Sequence, residues 1–243
     1  MQITELESEP TRTTRWYDLP LYLVGGLGVL ILASLLLSRV SISNNFLDTA
    51  LRFLFNAISL IGCVALLGVR REKISWQTIG FAPPRWKHTW ILAAAALTLI
   101  FLPARGILGL VASLLLEGGL DSLAIRNTAF TAGGSFTWGS FIFTLIFGGL
   151  VIPIAEELYF RGLIHSWFRE RLSFWPSVIL SAMIFGLAHF DSVGVAVSSF
   201  VMGMVNAVGF EKNRSIWFPI AIHAINNTFA LTLVNLALLL PVG

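Results

Sequence analysis

Glu156, Glu157 and Arg161 close a long apolar run, Phe141–Ala155, in the order E-E-L-Y-F-R. A charge at the centre of a membrane helix costs ~2.5–3.5 kcal/mol on insertion scales, so ionisable groups there mark a functional site by default. On a helix, Glu157 and Arg161 stand four apart with the acid first, the favourable order for an ion pair. Glu156 is turned about 100° away from that pair. A carboxylate in a dry site without a counter-ion suits a general base working near neutrality. The bland alternative is that both acids mark the cytoplasmic end of a helix, solvated beside Arg161, Arg169 and Arg171.

Two later apolar runs carry histidines at helical spacing. The first reads F-G-L-A-H, with Phe185 and His189 one turn apart. The second reads H-A-I-N-N, with His223 and Asn227 sharing a face at i, i+4 and Asn226 turned toward a neighbouring helix. A single His–Asn pair is more often interhelical glue than chemistry. Together, two histidines deep in spans, an acid pair and an amide on successive elements favour a site. Neutral imidazoles there can accept a proton, donate a hydrogen bond or bind a metal. His88 lies in a basic loop and His165 near the cytoplasmic interface, and both are expected to be solvated or interfacial.

These side chains need helices in lipid to position them. Of 243 residues, 56% are hydrophobic and 12% charged, and mean hydropathy is +0.81. The fold class is therefore all-α, a polytopic transmembrane helix bundle. The runs are too continuous for barrel strands, which alternate. Seven segments stand out: 19–38, 53–69, 89–116, 138–160, 174–190, 193–209 and 216–240. The third contains Pro103 and Arg105 and becomes two helices, making eight, if it breaks there. Residues 1–18 read as a cytoplasmic N-terminal segment and 19–243 as a single bundle, with a core at about 138–240. The Gly-rich stretch 117–137 reads as an external connection.

The net charge of +3 and pI near 9.4 follow from topology rather than from nucleic acid. With the N-terminus in the cytoplasm and seven spans, most Lys and Arg fall on the inside, including Arg70, Arg71, Lys73, Lys212 and Arg214. No Gly-rich phosphate loop follows a strand, so no nucleotide is expected. The lone cysteine, Cys63, excludes an intramolecular disulfide and a Cys-rich zinc site. The partners expected are membrane lipid and a membrane-associated protein or peptide.

The three motifs, E-E-x-x-x-R at Glu156–Arg161, F-x-x-x-H at Phe185–His189 and H-x-x-x-N at His223–Asn227, resemble those of the CPBP family. That family comprises type II CAAX prenyl endopeptidases and bacteriocin-processing or self-immunity (Abi) proteins. The resemblance covers roughly residues 140–230 and implies intramembrane proteolysis. It implies that Glu156, helped by His189, activates water and that His223 and Asn227 stabilise the oxyanion. Glu157–Arg161 would orient these groups, with Phe185 supporting His189. No cofactor is certain. A single zinc ion on Glu156, His189 and His223 would make a three-ligand open site, although the H-E-x-x-H spacing of soluble metalloproteases is absent. The rival classes are a non-catalytic immunity or scaffold protein and a small proton-coupled transporter. Transporters often carry repeated halves, and no repeat is visible.

Overall fold

The computed structural model describes residues 14–40, 42–85, 89–122, 131 and 136–239. Most of the 1–18 segment, His88, and most of the 117–137 connection lie outside these residues. Seven apolar helices follow one another: α1 (Asp18–Ser38), α2 (Asn45–Val69), α3 (Trp90–Glu117), α4 (Trp138–Arg169), α5 (Phe174–Leu187), α6 (Val193–Asn213) and α7 (Trp217–Ala237). All except α5 are long and apolar enough to cross a membrane. No strand occurs among the described residues.

Local chemistry sets the helix ends. Asn44 caps α2 by accepting from Leu47 N at 3.0 Å, and Thr137 caps α4 by accepting from Ser140 N at 3.1 Å, each satisfying an orphan donor of the first turn. α2 therefore starts eight residues before the apolar run that marks it, because its first turns are polar. α3 runs unbroken through Pro103 and Arg105, then stops at Gly118 in the left-handed region, φ 74°, where glycine carries no steric penalty. No split of the third segment occurs.

α4 is the central element. Every residue from Ala155 to His165 is buried, whereas α1 and α3 expose Leu32, Leu35, Leu36, Leu92, Leu99 and Ile107 outward. A helix buried all round is a core element, and the leucine faces are those that lipid covers. Two stretches of wide, π-type turns, Phe147–Val151 and Leu158–His165, bracket the regular turn Ile152–Glu157. Pro153 accounts for the first. It lacks an N–H and crowds the carbonyl four residues back, and the wider turn before it relieves both. Such wide turns re-aim the side chains that follow them and recur at functional sites.

Small residues bring the helices together. A Cβ on Gly149 would lie 2.7 Å from Thr228 Oγ1 of α7, and one on Gly203 of α6 would lie 3.0 Å from Ala182 of α5. α5 has 14 residues, so it extends only ~21 Å, short of the ~30 Å hydrocarbon core. α6 does not share that shortness. It continues to Asn213, four residues beyond the apolar run, because Glu211 and Asn213 are held inside the bundle.

Candidate active site

Glu156 and Glu157 leave α4 in different directions. Glu157 is fully buried and held from three sides. Arg161 Nε lies 3.1 Å from its Oε2, Asn206 Nδ2 of α6 donates to Oε1 at 2.8 Å, and His223 Nδ1 of α7 lies 2.7 Å from the same oxygen. Arg161, also fully buried, donates from Nη2 to Gly203 O at 3.1 Å, a reach that the bare glycine backbone permits. Its guanidinium carbon sits 4.6 Å from the Phe185 ring centroid, close enough for cation–π attraction.

Glu156 instead lines a cavity of about 600 Å³. The cavity is walled by α1, α2, α3, α4, α6, α7 and the turn after α5, and includes Arg105, His189, Asp191, His223, Asn226 and Asn227. His223 Nε2 stands 3.6 Å from Glu156 Oε2, so one imidazole faces both carboxylates. Glu157 is held against a guanidinium as a carboxylate and can only accept, so His223 carries a proton on Nδ1.

His189 follows the end of α5. Its Nδ1 lies 2.8 Å from Phe185 O, and a carbonyl only accepts, so Nδ1 carries the proton and Nε2 is left with a lone pair. Phe185 packs against this ring at 4.9 Å between centroids and edge-on against His223 at 5.7 Å. It thus touches Arg161 and both histidines. Asn227 donates from Nδ2 to Gly148 O, in the first wide turn of α4, at 3.3 Å.

The cavity thus gathers Glu156, His189, His223 and Asn227, with Glu157, Arg161 and Phe185 packed behind them. No group of three His, Cys, Asp or Glu side chains forms a metal site among the described residues. Two residues of this set carried no motif. Asn206 fixes Glu157, and its place as a polar residue inside the apolar stretch of α6 was the available signal. Arg105 lines the cavity from α3 and pairs with none of the motif residues.

His165 departs from its expected place. It is fully buried, 3.0 Å from Ser181 Oγ and 3.0 Å from Glu211 Oε1. α4 continues past His165 to Arg169, whose Nε also reaches Glu211 at 2.7 Å. Asn226 does reach a neighbouring helix, its amide lying 3.3 Å from Arg105 Nη2 of α3. It contacts Asn227 at 3.0 Å and lines the same cavity.

Residues 137–229 match the family described as Rce1-like, type II CAAX prenyl endopeptidase. This segment is similar to that family, and the similarity covers less than half of the chain. The matched segment begins at the cap of α4 and ends within α7, so it contains all three motifs, whereas α1, α2 and α3 lie outside it. Over 85 residues the chain is 33% identical to a Bacillus subtilis protein named "Putative membrane peptidase YdiL", which covers 35% of this chain and 34% of the relative. The aligned chain thus spans about a third of the length of that curated relative. No solved structure matches the chain.

Proposed function

We propose that the protein is an intramembrane endopeptidase of the CAAX type, hydrolysing a peptide bond of a membrane-associated protein or peptide with water activated by Glu156. The observation that carries this reading is the contrast between two adjacent acids. Glu157 is consumed by Arg161, Asn206 and His223, while Glu156 fronts the cavity.

Glu156 takes a proton from water as the water oxygen bonds to the scissile carbonyl carbon and the C=O π pair moves onto oxygen. His189, whose Nδ1–H is turned to Phe185 O, accepts a second hydrogen bond from that water at Nε2 and orients its lone pair. Asn227 Nδ2 donates to the oxyanion. His223, its Nδ1 held by Glu157, turns Nε2 toward Glu156 and the cavity, where a proton on that nitrogen makes it a second donor. When the oxyanion collapses, the C–N bond breaks and the leaving amine takes the proton held by Glu156. Preorganised donors in a dry site are worth ~3–4 kcal/mol each in such a step. Glu157 and Arg161 keep the geometry fixed. No metal is required by this sequence of steps.

The deciding experiment compares peptides released in the same membranes by wild-type protein and Glu156→Gln. Peptides made only by the wild type support the proposal, and identical profiles contradict it.

A further inference from the structure

Arg105 is a cation in the middle of α3, and the chemistry proposed above does not use it. It is half-buried and lines the cavity that Glu156 fronts. Its acceptors are uncharged. Nη1 lies 3.0 Å from Met202 Sδ, and a thioether is a weak acceptor. Nη2 lies 3.3 Å from the terminal amide atom of Asn226. That atom also sits 3.0 Å from Asn227 Oδ1. In the orientation that satisfies its neighbours this atom is the amide oxygen, which accepts from Arg105 and from Asn227 N at 3.2 Å, so it is a neutral acceptor that leaves the guanidinium charge unbalanced. No carboxylate lies within 4 Å of Arg105 among the described residues.

The other two arginines near the cavity are matched. Arg52 Nε pairs with Asp48 at 2.8 Å, and Arg161 pairs with Glu157. A guanidinium presents five donors in a planar fork that fits a carboxylate in bidentate fashion. We propose that Arg105 binds a carboxylate of the substrate peptide while Glu156 acts on a nearby bond, making Arg105 a specificity-determining residue on a wall outside the matched segment 137–229. The carboxylate is either the peptide's α-carboxyl terminus or an Asp or Glu side chain. This rests on the peptidase reading, but its test needs no hydrolysis.

Glu156→Gln protein, purified in a neutral detergent, is titrated with N-dodecanoyl-Leu-Leu-Ala as the free acid, the same peptide as its C-terminal amide, and an amide carrying Glu in place of one Leu. At least one carboxylate-bearing probe is expected to bind tenfold or more tightly than the plain amide. Adding Arg105→Gln should bring that ratio close to one, and Arg105→Lys should leave part of it. The probe that shows the preference identifies the source of the carboxylate. Equal binding of all three probes overturns the proposal even if no Arg105 variant folds, and so does a preference that survives Arg105→Gln. If peptide release fails while the binding preference stands, the peptidase reading falls and the anion site remains.

Discussion

His223 joins Glu157 to Glu156: its Nδ1 lies 2.7 Å from Glu157 Oε1 and its Nε2 3.6 Å from Glu156 Oε2. The ring spans two acids that are adjacent in sequence, and its tautomer is set by the buried one. Glu157 thus acts on the cavity through His223 rather than directly. Glu157→Gln should therefore lower stability through the orphaned Arg161 charge, by ~3–5 kcal/mol, measured as a fall in the unfolding midpoint in detergent. Arg161→Met should lower it comparably. The double variant Glu157→Gln/Arg161→Met should be less unstable than the sum, because no uncompensated charge remains.

Asn227 and Asn226 should separate by readout. Asn227→Ala removes a donor to the oxyanion and should reduce turnover by about a hundredfold or more with little change in substrate binding. Asn226→Ala removes a partner of Arg105 and should alter binding or thermal stability instead. Kinetics of both variants on one substrate check this, and loss of turnover with Asn226→Ala alone would contradict the assignment.

His165 contrasts with the cavity histidines. Its bonds to Ser181 and Glu211 lie apart from the residues lining the cavity. His165→Ala should cost ~1–3 kcal/mol by leaving buried polar partners unsatisfied, while folded protein keeps its turnover. His223→Ala should abolish turnover. The two variants are distinguished by activity per folded molecule.

A reaction run by Glu156 without metal should survive a chelator. Glu156 and His223 approach each other, but no three-ligand group forms with them among the described residues. Metal analysis of purified protein together with activity after chelation is the check. Stoichiometric zinc lost in step with activity would overturn this view.

The helical bundle was legible because hydropathy records lipid exposure directly, and the seven apolar runs each correspond to a helix. Boundaries were less so. α2 and α6 extend beyond their apolar runs because capping by Asn44 and burial of Glu211 are invisible to a hydropathy pattern. The pairing of Glu157 with Arg161 was readable from i, i+4 spacing, a local rule. The contacts of Asn206 with Glu157 and of Arg161 with Gly203 were not, since they join helices far apart in sequence. His165 was misplaced for the same reason: its surroundings depend on α5 and α6 packing over a helix that runs further inward than its apolar stretch.

The central claim is that Glu156 activates the water. Glu156→Gln keeps the size and shape of the side chain but removes the base. Wild type and Glu156→Gln, expressed to equal levels in the same membranes and compared by mass spectrometry of released peptides, test this most directly. The account predicts that specific peptides appear with the wild type and vanish with the variant, while both insert and fold alike. Release of the same peptides at the same rate by Glu156→Gln would contradict it.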